Sequence, residues 1–274
     1  MKRKIGFILA LVLVSLLVVG TASAGLFDFL GGSNTNSTND NSTFIVGFDA
    51  EFPPYGYQDD NGSYTGFDLD LAKEVCERNN WTFKAQPIDW DAKDAELESG
   101  SIDCLWNGFT IDGRENDYLW SNPYFDNKQI FVVKSDSGIN SIADLKGKTV
   151  ETQEDSSALA ALEGDNKTIA STFGTLNQVA DYNTAFMDLE SCACDAVAMD
   201  IGVAEYDISK KNDTSAYSIL EEAITTEKYG IGFKKGNDAL KDQVQSTLDE
   251  MFKDGTVLKI AQKYGISEDA LIQP

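Results

Sequence analysis

Apolar residues over most of the chain fall into short runs separated by amphipathic stretches. Short apolar runs predict buried strands, and apolar residues that recur every three or four positions predict helices. The segment 66–79 predicts a helix, because Leu71, Ala72, Val75 and Cys76 lie on one face of it. Other predicted strands are 44–48, 82–85, 102–105, 129–134 and 195–200, and other predicted helices are 91–98, 183–189 and 257–264. Strands that alternate with helices predict an α/β fold.

The amino-terminal part of the chain follows a different pattern. Basic residues at 2–4, an apolar run at 5–19 and Ala-Ser-Ala at 22–24 predict a signal peptide over residues 1–24. The apolar run is near the short end of what spans a bilayer, so an uncleaved anchor stays open as an alternative. Residues 25–43 are rich in Ser, Thr, Asn and Asp and predict a flexible tether. We therefore expect an exported protein, extracellular or periplasmic, tethered at the outer face of the cytoplasmic membrane.

Composition excludes several classes of function. The net charge of −23 over 274 residues argues against binding nucleic acid or an anionic membrane surface. The chain contains no histidine, which removes Ser-His catalysis, Cys-His catalysis and histidine-ligated metal sites. We expect no cofactor and no metal in the site. The four cysteines, which we expect to be core thiols, are Cys76, Cys104, Cys192 and Cys194.

Two segments that follow predicted strands carry candidate binding residues. Asp49 and Phe52 come directly after the first strand, where open α/β sheets place their ligands. Gly108, Thr110 and Arg114 lie on the loop after the strand 102–105. The planar fork of an arginine matches a carboxylate, so this loop can bind the carboxylate of a small molecule. Taken alone, a single loop arginine is more typical of a solvated surface charge.

The run 66–79, Gly-Phe-Asp-Leu-Asp-Leu-Ala-Lys-Glu-Val-Cys-Glu-Arg-Asn, is similar to the signature of the family 3 bacterial extracellular solute-binding proteins. The resemblance covers about 44–265. It implies a periplasmic-binding-protein-like type II fold with two α/β lobes, each a mostly parallel sheet flanked by helices, joined by two hinge crossings. The implied division assigns 44–127 to the first part of lobe 1, 128–227 to lobe 2 and 228–274 to the second part of lobe 1.

The resemblance also implies how a ligand is held. In the family, the backbone of a glycine, a hydroxyl and an arginine hold the ligand's α-carboxylate, and Gly108, Thr110 and Arg114 match these roles. The spacing from Thr110 to Arg114 is one residue shorter than usual, so the loop must turn tightly at Gly113. A further carboxylate, at Asp200, matches the family's partner for the α-ammonium group, although an Asp at a strand end can also cap the next helix.

The remaining contacts come from one aromatic residue and one loop. Trp90 matches a family residue that covers one side of the ligand. Ser157 and Gln153 match the lobe 2 residues that bind the ligand's carboxylate in the family. Asp155 replaces a customary glycine there, which puts a carboxylate beside an anion site. The predicted ligand-binding set is Asp49, Phe52, Trp90, Asn107, Gly108, Thr110, Arg114, Gln153, Ser157 and Asp200.

Together these features predict the substrate-binding protein of an amino-acid ABC importer, a monomer without enzymatic activity whose partners are a free amino acid and the permease subunits in the membrane. Arg114 and Asp200 neutralise the charged carboxylate and ammonium groups of an amino acid. The negative charge of Asp49 then remains without a partner, which favours a ligand with a polar or cationic side chain. Two alternatives stay open: an enzyme similar to cyclohexadienyl dehydratase, and a membrane-tethered amino-acid sensor on the same scaffold.

Overall fold

The computed structural model describes residues 42–273. Its fourteen strands are β1 (Thr43–Phe48), β2 (Glu51–Phe52), β3 (Gly56–Gln58), β4 (Tyr64–Thr65), β5 (Thr82–Pro87), β6 (Cys104–Leu105), β7 (Leu119–Trp120), β8 (Phe125–Lys134), β9 (Thr149–Gln153), β10 (Thr175–Val179), β11 (Ala196–Asp200), β12 (Tyr217–Ile219), β13 (Thr225–Tyr229) and β14 (Gly232–Phe233). Its α-helices are α1 (Phe67–Asn79), α2 (Lys93–Ser99), α3 (Ser157–Glu163), α4 (Lys167–Ala170), α5 (Tyr182–Ser191), α6 (Ile201–Ser209), α7 (Asp238–Lys253) and α8 (Thr256–Lys263). Short 3-10 turns occupy Trp90–Ala92, Ile142–Leu145, Thr214–Ala216 and Glu268–Ala270.

Two larger sheets organise these elements, and we call the elements around the first sheet lobe 1 and those around the second lobe 2. The first sheet has the order β5-β1-β6-β14-β7, in which β1 runs parallel to β5 and β6. The second has the order β10-β9-β11-β8-β12, with β13 also paired to β8. Each sheet combines a parallel core with antiparallel strands, such as β14 in the first and β8 in the second. The α/β class predicted from the sequence is confirmed. The expectation of mostly parallel sheets is wrong, because the strands that flank the two crossings between the sheets pair antiparallel with their neighbours.

The chain crosses between the two sheets twice. β7 belongs to the first sheet and β8 to the second, so the first crossing lies at residues 121–124. The second crossing lies at residues 230–231, between β13 and β14. The lobe boundaries predicted after residues 127 and 227 fall inside β8 and β13, and they stay predictions.

The helix α1 shows how the local pattern produces the core of lobe 1. It begins one residue after the predicted start, and its predicted apolar face, which includes Leu71 and Val75, is fully buried. This face packs against the first sheet, while α7 and α8 cover the helix. Burial of a Leu or Val side chain contributes about 1.5–3 kcal/mol, so this face stabilises lobe 1 substantially.

Two sequence-based expectations differ from the structure. The predicted strand 102–105 is reduced to β6, because the Ile45 N–H donates to the Asp103 side chain at 2.7 Å and not to a backbone carbonyl of this segment. The expectation that all four cysteines are core thiols is wrong for Cys192, which is exposed. Cys192 ends α5 in a left-handed conformation, with a φ of 64°, and a helix end at the surface leaves its side chain in solvent.

The predicted signal peptide at 1–24 and most of the predicted tether at 25–43 lie outside the described residues. Between residues 42 and 273, none of the helices combines the length and the apolar character needed to cross a bilayer.

Candidate functional site

One cavity, of about 300 Å³ including its open side, lies where loops of both lobes meet. Every residue of the predicted ligand-binding set lines it, and Phe109 and Ser156 line it as well. The lining from lobe 1 comprises Asp49, Phe52, Trp90, Asn107, Gly108, Thr110 and Arg114, and that from lobe 2 comprises Gln153, Ser157 and Asp200. The structure therefore brings the predicted residues together, and their role in binding stays a prediction.

The shortened loop before Arg114 forms a tight turn, as the sequence predicts. The Arg114 N–H donates to the Ile111 carbonyl at 2.8 Å, and Gly113 has a φ of +81°, a left-handed conformation that favours glycine. The turn brings the guanidinium to the edge of the cavity, where its Nη2 donates to the backbone carbonyl of Asp155 at 3.1 Å. The only arginine among the cavity-lining residues thus reaches across to lobe 2.

The backbone N–H of Gly108 is hydrogen-bonded to a carboxylate that the sequence analysis missed. This N–H donates to Asp68 Oδ2 at 2.6 Å, and Asp68 Oδ1 accepts from the Tyr124 hydroxyl at 2.8 Å. Burial raises the pKa of Asp68 to about 7, against the lowering effect of these hydrogen bonds. The Gly108 N–H already donates to Asp68, so the expectation that it binds a ligand carboxylate needs correction. The Gly108 carbonyl remains available to a ligand, and a carbonyl can only accept a hydrogen bond.

Asp68 lies in the first turn of the predicted helix 66–79, where an acidic residue interacts favourably with the helix macrodipole. The signal that could have identified it is its position between Phe67 and Leu69, both of which are buried. An acidic residue flanked by core residues needs hydrogen-bond donors from elsewhere in the fold.

Asp200, at the end of β11, is a buried acceptor and does not cap the following helix. It is 4% exposed and makes no capping hydrogen bond to α6. Its Oδ1 accepts from Asn127 Nδ2 at 2.7 Å, Gln129 Nε2 at 2.7 Å and the Tyr229 hydroxyl at 2.6 Å. Burial, and next the charge of Glu227, raise the pKa of Asp200 to about 7. A cationic group beside Asp200 would relieve that cost.

Glu227 is a second buried carboxylate in this network, and the sequence analysis assigned it only to the end of lobe 2. It is 5% exposed. Its Oε1 accepts from Thr110 Oγ1 at 2.8 Å, Ser157 Oγ at 3.1 Å, and the side-chain amides of Asn127 and Gln129 at 2.8 Å each. The two hydroxyls assigned to the ligand carboxylate therefore also bind a carboxylate of the protein itself.

The loop between β9 and α3 supplies the lobe 2 side of the cavity. The side chain of Ser156 caps α3 by accepting from the Leu159 N–H at 3.1 Å, which commits it to the helix. Ser157 Oγ lies 3.3 Å from Thr110 Oγ1, and Gln153 Nε2 donates to Asp49 Oδ2 at 2.6 Å. Hydrogen bonds from Gln153 and Ser157, which flank this loop, thus join the two lobes across the cavity.

Aromatic rings form the apolar wall. The Trp90 ring meets the Phe109 ring edge to face at a centroid separation of 5.4 Å. Phe52 lies 6.0 Å from the Tyr182 ring and 5.6 Å from the Tyr55 ring. Such rings bury large apolar areas and can also attract a cation over their faces.

The charge around the cavity is predominantly negative. Burial raises the pKa of Asp49 to about 6, against the lowering effect of hydrogen bonds from Glu51 and Gln153. Asp49 and Trp90 also line a second space, of about 1280 Å³ including its open side. We call this space the acidic cavity, and its other acidic residues are Glu51, Asp89, Asp91, Glu96, Glu154 and Asp181. Its lining contains no lysine or arginine, so it favours a cationic occupant.

Over the described range 42–273, no group of three or more Cys, Asp or Glu side chains is arranged to hold a metal ion.

The chain is similar to characterised proteins over most of its length. The profile of the family described as bacterial extracellular solute-binding proteins, family 3, matches residues 44–267. The L-cystine-binding protein TcyJ of Escherichia coli strain K12 is 30% identical over 232 residues, which are 84% of this chain and 85% of that protein. The arginine-binding extracellular protein ArtP of Bacillus subtilis strain 168 is 27% identical over 258 residues, or 92% of this chain and 98% of ArtP.

A solved structure extends the similarity to the fold. An ABC uptake transporter substrate-binding protein from Streptococcus pneumoniae, with bound histidine, is 34% identical and superposes with a TM-score of 0.82. The match covers 86% of this chain and 96% of that protein. It confirms the periplasmic-binding-protein-like type II fold that the sequence resemblance implies.

Proposed function

The chain belongs to the family 3 bacterial extracellular solute-binding proteins, and we propose from this membership that it is the substrate-binding protein of an amino-acid ABC importer. It is exported, binds a free L-amino acid between its two lobes, and delivers it to permease subunits in the membrane. The names of its relatives support this proposal, since they describe binding proteins for cystine and arginine and a transporter protein with bound histidine.

The single observation that carries the proposal is that Arg114 and Asp200 line the same cavity from different lobes. An amino acid needs a cation for its carboxylate and an anion for its ammonium group. Charge-assisted hydrogen bonds of this kind contribute roughly 1.5–3 kcal/mol each. Because the two residues belong to different lobes, both contacts form together only when the lobes are close, which couples binding to closure.

We assign the ligand's side chain to the aromatic wall and the acidic cavity. Trp90 and Asp49 line both spaces, so the two spaces are adjacent, and we place the far end of a long side chain on the side of the acidic cavity. The cavity linings contain several carboxylates and, apart from Arg114, no cation. An aspartate or glutamate side chain would remain unpaired there, which is costly, whereas a cationic side chain, or a polar amide, meets an acceptor.

A thermal-shift screen of the twenty amino acids, followed by calorimetric titration, tests the proposal. We expect the largest shifts with cationic or amide amino acids such as arginine, histidine, lysine and glutamine. The variant Arg114→Ala should bind the best of these at least about tenfold more weakly, because it loses a charge-assisted contact. Lys253→Ala, which removes an exposed lysine at the end of α7, is the matched control and should bind normally. The largest shift with glutamate, or unchanged affinity in the Arg114 variant, would contradict the assignment.

We propose further that the ligand leaves the site unchanged. The relatives named above are described as binding or substrate-binding proteins, and none of these names describes an enzyme. Incubation with prephenate or arogenate, followed by product analysis, tests this proposal against the dehydratase alternative, and we expect no product.

A further inference from the structure

We propose that Lys93 and Asp155 form an interlobe latch, an ion pair that holds the two lobes closed over the ligand without contacting it. The latch rests on the proposed function in one respect: it assigns to these two residues a positioning role in amino-acid binding. Neither residue lines the cavity, and neither belongs to the set that the sequence predicts.

The pair joins the lobes at the cavity's edge. Lys93 is the first residue of α2, which packs against β1 and β6 of lobe 1. Its Nζ contacts the Asp155 carboxylate, on the loop between β9 and α3 in lobe 2. Separation of the lobes would therefore break the pair, so its free energy is available only to the closed state.

Lys93 also supports the aromatic wall. Its Nζ lies 5.2 Å from the centroid of the Trp90 ring and donates to the Trp90 carbonyl at 3.4 Å. A cation over a tryptophan face is attracted by the ring. The latch thus connects closure with the position of a residue that we assign to the ligand's side chain.

The environments of the two partners are unequal. The Lys93 side chain is 2% exposed, whereas that of Asp155 is 52% exposed. Burial lowers the pKa of Lys93, and the nearby Asp155 carboxylate opposes that lowering. A buried lysine that loses its partner is an uncompensated charge, while a half-exposed aspartate that loses its partner is still solvated by water.

The backbone of Asp155 supports a dedicated role for this residue. Its φ of +54° lies in the left-handed region that glycine favours, and its carbonyl accepts from Arg114. An aspartate costs more than a glycine in this conformation. The ion pair with Lys93 offsets that cost, which gives a physical reason for a carboxylate beside the site.

The inequality predicts an asymmetric double-mutant cycle. Asp155→Asn keeps a residue that tolerates the left-handed conformation but leaves Lys93 unpaired, so we expect the Kd for L-arginine or L-histidine to rise about tenfold. Lys93→Met keeps much of the packing against Trp90 and leaves a solvated aspartate, so we expect a rise of roughly threefold or less. The double variant should bind more tightly than Asp155→Asn alone.

The experiment measures Kd by calorimetry and the radius of gyration of the unliganded protein by small-angle X-ray scattering. The radius should be larger for Asp155→Asn than for the wild type, and Lys93→Met should reverse the increase. The control pair is Lys148 and Asp195, which forms an ion pair within lobe 2 at 3.4 Å. Lys148→Met and Asp195→Asn should change neither quantity.

The outcomes separate the latch from the proposed function. Equal radii of gyration for Asp155→Asn and wild type, or effects of the two substitutions that simply add, would overturn the latch. A wild-type protein that binds no amino acid, but whose radius responds to the substitutions as described, would retain the latch and overturn the proposed function.

Discussion

The proposed contact between Asp49 and a cationic ligand side chain should make amino-acid selectivity depend on pH. Burial raises the pKa of Asp49 to about 6. A positive charge beside Asp49 holds it ionised in the complex, so binding of a cationic ligand at low pH must first remove a proton from Asp49. A ligand with a neutral amide side chain has no such requirement.

The magnitude follows from the ionised fraction. With a pKa of about 6, Asp49 is roughly nine tenths ionised at pH 7 and roughly one tenth ionised at pH 5. The affinity for L-arginine should therefore fall about tenfold relative to that for L-glutamine between these pH values. Protonation of Asp200 affects both ligands through their common ammonium group, so it cancels in the ratio of the two Kd values.

The assay is calorimetric titration of both ligands at pH 5, 6 and 7. Asp49→Asn should make the ratio of Kd values independent of pH, with circular dichroism as the check on folding. Asp91→Asn removes a carboxylate of the acidic cavity that is exposed to solvent, and it should leave the pH dependence intact. A ratio that stays constant in the wild type, or that still changes in the Asp49 variant, would refute the assignment of Asp49 to the ligand's side chain.

Two further predictions concern the fold around the cavity. Gly108→Ala should lower the thermal unfolding midpoint and abolish amino-acid binding in calorimetry. The reason is that Gly108 has a φ of +55° and an added Cβ would lie 2.8 Å from the Phe52 ring. An unfolding midpoint and a Kd equal to those of the wild type would contradict this argument. The unliganded protein should become more stable in thermal unfolding as the pH falls from 8 to 5. The pKa values of Asp49, Asp68 and Asp200 are raised to about 6, 7 and 7 in the folded protein. The folded state therefore binds protons more tightly than the unfolded state. The contribution of these groups is fully present below the unfolded pKa, near 4, and is lost as the pH rises through 6 to 7; a midpoint that decreases steadily on acidification would contradict it.

The sequence identified the elements whose signals are local. The helix α1 has a continuous apolar face, and the structure places it at Phe67–Asn79, within one residue of the prediction. The tight turn before Arg114 was predictable because a glycine at position 113 can adopt a left-handed conformation. The meeting of Arg114 and Asp200 in one cavity followed from the family resemblance, since nothing in their own neighbourhoods relates two residues so distant in sequence.

Contacts that depend on strand register were beyond the sequence. Glu227 lies opposite Asn127 in the pairing of β13 with β8, and Asp200 lies opposite Gln129 in the pairing of β11 with β8. These two registers bring two carboxylates to the same pair of amides, and a shift of one residue would turn each side chain to the other face of the sheet. No local pattern in β13 indicates that Glu227 is buried.

The sequence by itself determined the helical and extended segments, the absence of histidine chemistry and the chemical character of the predicted binding groups, because these depend on composition and short-range periodicity. Only the tertiary structure decided which group pairs with each buried charge: Asp155 with Lys93, the Gly108 N–H with Asp68, and the hydroxyls of Thr110 and Ser157 with Glu227. Each of these contacts joins distant segments, and each depends on how the sheets pair and how the lobes close. A buried charge is stabilised by whichever partner the fold brings to it, and that partner leaves no trace in the residues beside it in the chain.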